Sequence, residues 1–297
     1  MLQLFFDTLL RASDLALIAL GLSVVYGLVK FPNVAHVQYA MLGAYFSWFF
    51  FALGMPLPVA IVAAALLTGA IALTLYVLVF RRLLCISPAT ALIGSLAVAM
   101  LAVAFTQGFS GAFPRMFTLP ITEPVLVHDV RLSHVQIIVM ATTVGLLGLF
   151  ALLLFFTHTG RAMRALASNP ALAAASGLNA EGITRLVNFS SGAIAGLGGS
   201  VLALQTGAYV NLGHDLLLPV FAAAILGGLG NPLGAVFGAL LIALTETLVT
   251  NLNFGPLLDK TLAFLPVAYI NAGSFLILLL ALLFKPYGLF DQQVRRV

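Results

Sequence analysis

Residues Phe31–Phe80 read FPNVAHVQYAMLGAYFSWFFFALGMPLPVAIVAAALLTGAIALTLYVLVF, with no formal charge between Lys30 and Arg81. A helix crosses a bilayer in about 20 apolar residues, so this run holds two crossings. Outward from it the pattern repeats. Formal charge is absent from Leu83 to Pro114, Leu132 to Gly160, Leu186 to His214 and Thr261 to Phe284. Over the 297 residues, 62% are apolar and 7% charged, which leaves a soluble domain no surface to offer water. Backbone groups in lipid must bond internally, and long apolar runs favour helices over the alternating strands of a barrel.

The spacing predicts spans near 13–30, 36–53, 57–80, 88–109, 134–157, 186–208, 216–229, 232–251 and 264–284. The seventh is too short to cross and reads as broken or re-entrant with the eighth. The fold class is therefore an all-α polytopic membrane protein of about eight transmembrane helices (range 8–10), with broken or re-entrant segments near 31–36 and 216–232. MLQLFFDTLLRASDLALIALG lacks a basic n-region and a small-residue cleavage site, so it reads as a retained first helix. A lone cysteine, Cys85, excludes an internal disulfide and a cysteine-based metal cluster. The net charge of +4 comes from loop arginines and does not describe a nucleic-acid surface.

Those arginines predict sidedness. Arg81-Arg82, then Arg161, Arg164 and Arg185, then Lys285, Arg295 and Arg296 fall on one side, which should be the cytoplasm and should hold the C-terminus. The other face takes the loop from Ser110 to Ser133, where Glu123 and Asp129 balance Arg115 and Arg131, and turns near Asp215 and Asp259-Lys260. The side of the N-terminus depends on whether the short seventh element crosses.

On the arginine side lies GRAMRALASNPALAAASGLN (Gly160–Asn179), a basic, Ala-rich island. Asn169-Pro170 is a helix start and Gly177 a stop. A compact cytoplasmic helix with Arg161 and Arg164 at its front is a handle for a partner protein to push on.

Two interruptions look alike: Lys30-Phe31-Pro32-Asn33, and Gly227-Gly228-Leu229-Gly230-Asn231-Pro232. Interrupted helices in two halves mark a central path in transporters, and the likeness suggests inverted repetition. After the first, His36, Ala40, Gly43 and Ser47 share one face, suited to close packing or to lining a path. Glu246 lies in the eighth span near its end, as an anchor at the headgroups or a functional group. It reads as the only embedded carboxylate. Gly192/Gly196 and Gly234/Gly238 are small-xxx-small packing faces. No phosphate loop, H-E-x-x-H or G-x-S-x-G occurs, so any ATP is bound by another polypeptide. The histidines 36, 128, 134, 158 and 214 are scattered mostly near span ends.

ALIALGLSVVYGLVKFPNVAHVQYAMLGAY (Ala16–Tyr45) resembles the opening of the permease subunits of branched-chain amino acid ABC importers. The stretches Gly160–Leu204, FAAAILGGLGNPLGAVFGALLIALTE (Phe221–Glu246) and KPYGLF (Lys285–Phe290) resemble their cytoplasmic loop and late segments, in order and spacing. The resemblance implies a second homologous permease (or a second copy), two cytoplasmic ATPase subunits and an extracytoplasmic solute-binding protein. It implies that Ala171 to Gly177 is a coupling element seated in an ATPase groove. One departure stands out: the family's Asn-Phe-Ala-His-Gly run is here Asn33-Val34-Ala35-His36-Val37. A lost glycine fills space beside the expected path and puts the solute, rather than the transport role, in question.

The expectation is one permease domain over 1–297 with a coupling loop at about 158–185, in a bacterial inner membrane. It performs no covalent chemistry and binds no metal or cofactor of its own, ATP being used by partners. Asn33, His36, Gln38 and Tyr39 are expected to line the substrate path. Gly227, Gly228, Gly230, Asn231 and Pro232 are expected to form a hinge or broken helix. Arg161, Arg164, Ala171, Ala173, Ala174 and Gly177 are expected to contact the ATPase. The path should be neutral, and the solute a branched-chain amino acid or a related small polar molecule. The alternatives are an ion-coupled secondary transporter and a membrane-embedded enzyme.

Overall fold

The structure, a computed structural model, describes residues 2–119, 123–127, 130–251, 266, 270–285 and 288–290. The chain begins with α1 (Leu2–Val29), α2 (His36–Ala52) and α3 (Leu57–Leu75). A π-turn at Tyr76–Phe80 carries α3 into α4 (Arg81–Leu84), and α5 (Pro88–Ser110) follows. An antiparallel pair, β1 (Val125–Val127) and β2 (Val130–Leu132), precedes α6 (His134–Phe156). Then come α7 (His158–Ser168), α8 (Pro170–Ala175), α9 (Ala180–Thr206), α10 (Leu212–Gly227), α11 (Pro232–Asn251) and α12 (Ile270–Phe284).

Local chemistry sets the helix ends. Ser87 caps α5 by accepting from the Thr90 amide (3.1 Å), with Pro88 in the first turn, and Gly111 at φ 76° stops it. Ser133 and Gln136 form a capping box at the start of α6. The strongest difference from the expected spans is at the front. α1 starts at Leu2 rather than near residue 13, so Asp7, Arg11 and Asp14 all sit within a helix. The last span is described from Ile270 on. Asp259-Lys260, Asn253, His128, Asp129, Arg295 and Arg296 lie outside the described residues.

The bundle is inverted relative to a soluble protein. In α1, 83% of the most apolar window is buried, against 22% in α5. The outer helices turn Phe105 (67% exposed), Leu149 and Leu152 outward, as lipid requires. Backbones cross closely at the centre because the crossing residues are small. Gly43 of α2 lies on Gly196 of α9, Gly199 of α9 lies on Ala40, and Gly192 lies on Ala72 of α3. The His36–Ala40–Gly43–Ser47 face therefore packs on α9, and Ser200 donates to the Gly43 carbonyl (3.0 Å).

α1 runs antiparallel to α11: Gly27 meets Gly230 at one end and Arg11 meets Glu246 at the other. Helix α10 is 16 residues long and packs as a tight hairpin with α11, with Gly227 on Gly234 and Gly238 on Ala223. Both interruptions lie at the same end of the bundle, since the Gly230 amide donates to Ser23 (3.2 Å) close to where α1 stops. They are thus not partners across an in-plane two-fold axis, as inverted repetition requires. The same end holds α7 and α8, and Arg81 pairs there with Glu181 (2.8 Å). The N-terminal end of α1 lies opposite.

Candidate functional site

Among the described residues three places hold the polar chemistry: the start of α2, the end of the bundle where both interruptions meet α7, and the far end of α1.

At the start of α2 the Asn33 carboxamide accepts from the Ala35 amide (3.1 Å) and fixes the turn after the first interruption. His36 is 1% exposed. Its Nε2 lies 3.2 Å from the Ile18 carbonyl, which can only accept, so Nε2 carries the proton. Its Nδ1 faces the Ser191 hydroxyl at 3.4 Å, and that hydroxyl donates to the Gly21 carbonyl (2.9 Å). Tyr39 meets the imidazole edge-on, with centroids 5.7 Å apart. Gln38 presses on Gly213 of α10, with its Oε1 buried and without a hydrogen-bond partner. The structure brings the four expected path residues together, but as a buried polar knot between α1, α2, α9 and α10. None of them lines the clefts described below. Sequence marked this cluster and could not tell that its face is turned onto α9.

The expected broken helix is present. Gly228 (φ 96°) and Gly230 (φ 92°) hold left-handed backbone. Asn231 caps α11 by accepting from the Gly234 amide (3.1 Å), and Pro232 opens the helix. Residues 288–290 clasp this turn: the Leu289 amide donates to Leu226 O (2.8 Å) and Asn231 donates to Phe290 O (3.2 Å). Lys30, at φ 57°, ends α1 beside it. Lys30, Arg164, Ser168, Gly228 and Asn231 line a shared cleft of about 570 Å³. Gly230→Ala puts a side chain into left-handed backbone, 3.1 Å from Gly27 Cα. It should cost about 1–2 kcal/mol, read as a lower thermal midpoint in detergent.

The basic, Ala-rich island folds as two helices, not one. Asn169 ends α7 and caps α8, accepting from the Leu172 amide (3.0 Å), and Gly177 at φ 79° stops α8. Arg161 is exposed and bonded to His158 Nδ1 (2.8 Å). Arg164 turns back, bonding the Leu154 carbonyl and lying over Phe155 (5.2 Å). Ala171, Ala174 and Gly177 are exposed, and Leu172 is 65% exposed. Ala173 is not: at 4% exposure it faces inward, so a partner cannot reach it as expected. Its position on the inner face of a one-and-a-half-turn helix is invisible in an alanine run.

At the far end of α1, Glu246 is 2% exposed. Arg11 Nε donates to its Oε2 at 2.6 Å, and the Ser274 hydroxyl donates to Oε1. This corrects the reading of Glu246 as a shallow group reaching the headgroups. The carboxylate is held between α1, α11 and α12. Asp14, buried at 9% exposure, is a second embedded carboxylate, with Gln205 Nε2 3.4 Å away. Glu246 is therefore not the only one, and the bundle is not neutral throughout. The overlooked signal is the spacing Asp7, Arg11, Asp14, which puts three charges on one face of an otherwise apolar helix.

A family model described as branched-chain amino acid transport system / permease component matches residues 4–284. The chain is 30% identical to the probable branched-chain amino acid transport permease protein LivH of Methanocaldococcus jannaschii, covering 93% of this chain and 88% of that one. It is 27% identical to the high-affinity branched-chain amino acid transport system permease protein LivH of Escherichia coli, covering 98% and 96%. It is 29% identical to the corresponding protein BraD of Pseudomonas aeruginosa, again covering 98% and 96%. The fold is similar to that in the structure of PsaBC from Streptococcus pneumoniae in complex with Fab, with a TM-score of 0.52 and 13% identity, covering 96% of this chain and 92% of that one.

Proposed function

Because the chain belongs to the permease component family of branched-chain amino acid transport systems, we propose that it is the membrane-spanning subunit of an ATP-driven importer. Its cargo is a branched-chain amino acid or a related small polar solute. The single observation that carries this reading is the family match, which runs through nearly every described helix.

The chain acts as one permease domain over 1–297, in a bacterial inner membrane. The α7–α8 end faces the cytoplasm, because Arg81, Arg82, Arg161, Arg164 and Arg185 gather there. The hydrogen bonds that Leu289 and Phe290 make to this end support a C-terminal side on the same face. Two ATPase subunits dock on the exposed residues of α8, and a second permease, or a second copy, completes the path. A solute-binding protein delivers cargo at the opposite face. Catalysis and nucleotide binding belong to the partners. α7 packs on the bundle through Met163 and Leu166, and its residues line the same cleft as Lys30 and Gly228. A push on α8 thus arrives where both helices are interrupted.

Two measurements on the assembled transporter test this. ATP, and not a proton gradient alone, should drive amino acid uptake into vesicles. Uptake on the gradient alone would instead favour an ion-coupled carrier, for which the buried Asp14 and Glu246 are the supporting feature. Tagged chain should retain the ATPase on purification and lose it on Ala174→Asp. Ala173→Asp is a poor probe, since it places a charge inside the bundle.

A further inference from the structure

We propose that Asp7 and Arg11 form an entry site for a zwitterionic α-amino acid at the outer end of α1, with the solute carboxylate on the Arg11 guanidinium and its ammonium on Asp7. This deepens the transport reading and rests on it for the solute class.

The start of α2 cannot supply such a site, because His36 and its neighbours are sealed against α1 and α9. The charges a zwitterion needs lie instead at the other end of α1. Arg11, Asp7, Glu246, Thr250 and Asn251 line a cleft of about 290 Å³ there, just below the range of about 300–1,000 Å³ of drug-sized ligand pockets. Glu246 is satisfied on both oxygens and nearly fully buried, so it is a support and not a contact group. It holds Arg11 through Nε alone. Among the described residues nothing bonds the two terminal amino groups of the guanidinium, on a side chain that is 30% exposed and lines the cleft. That fork matches a carboxylate in two-point fashion.

Asp7 sits one turn earlier on the same face, half-buried, and accepts from Gln3 (2.9 Å). Asp14 sits one turn later and adds negative charge from within the bundle. One guanidinium stands among three carboxylates. A solute with only a carboxylate meets an acidic field, and one that also carries an ammonium is retained.

The test uses the purified full chain in lipid nanodiscs and equilibrium binding of labelled leucine, with 4-methylpentanoate (leucine without its ammonium) as competitor. Wild type should bind leucine at millimolar concentration or better and prefer it over the competitor at least tenfold. Asp7→Asn should weaken leucine at least tenfold and erase that preference. Arg11→Lys keeps the charge but loses the fork, and should also weaken leucine tenfold. Asp7→Asn, which leaves the Arg11–Glu246 pair intact, should keep the wild-type elution profile and thermal midpoint without ligand, whereas a purely structural role would move the midpoint and leave the preference alone. Leucine binding unchanged in Asp7→Asn and Arg11→Lys overturns the site. So does wild type that binds no amino acid while the assembled transporter still shows ATP-driven uptake. Absence of ATP-driven uptake by the assembly is the separate failure of the transport reading.

Discussion

Gly199→Val should yield no folded protein. A Cβ on Gly199 would overlap the Ala40 carbonyl and its carbon, so the new atoms meet backbone rather than a side chain that can swing away. Overpacking costs about 1–3 kcal/mol when neighbours can yield. Here α2 and α9 would have to separate, and with them the Gly43–Gly196 contact and the Ser200 hydrogen bond to Gly43. The His36–Ser191 contact lies on the same face and would open too. Size-exclusion profiles of a fluorescently tagged chain give the readout. Gly145→Val is the control, because nothing approaches within 4 Å of a side chain at that position on α6. A monodisperse Gly199→Val peak at wild-type yield would refute the idea that direct backbone contact holds the two helices.

Removing Glu246 should be nearly as damaging. Glu246→Ala leaves the Arg11 guanidinium and the Ser274 hydroxyl without their shared acceptor between α1, α11 and α12. Breaking one side of a buried pair costs about 3–5 kcal/mol, because the remaining charge keeps its desolvation penalty. Arg11→Ala should cost a similar amount, since it strands a carboxylate that is 2% exposed. Replacing both, as Arg11→Met with Glu246→Met, should recover most of the lost stability, because apolar side chains of similar volume need no partner. Thermal midpoints of the two single variants and the double variant, combined in a double-mutant cycle, measure the coupling. Additive losses would show that the pair is incidental. The double variant should also separate folding from solute recognition: a stable protein that no longer binds leucine.

Much of the architecture was legible in the chain because lipid imposes a one-dimensional rule. Charge-free runs have to be helices, and the described spans fall close to the runs between Phe31 and Phe80 and between Leu132 and Gly160. The interruption at Gly228–Asn231 and the caps at Asn169 and Gly177 were readable too, since turn geometry depends on a few adjacent residues. The small-residue faces at Gly192/Gly196 and Gly234/Gly238 announced close packing, though not their partners.

Sequence by itself determined that this is a helical membrane protein, where its helices break, and which family it resembles. Each of these depends on local composition or on order along the chain. Only the tertiary structure decided which way each polar group faces. It turned the His36 face onto α9, buried Ala173, placed both interruptions at one end, and joined Arg11 to Glu246 across 235 positions. In a membrane the apolar exterior hides nothing about position along the normal. The pairing of helix faces depends on three-dimensional contacts between small residues and on the cost of leaving a buried charge alone. Spacing can mark such groups, as at Asp7, Arg11 and Asp14, but one strand of sequence does not name their partners.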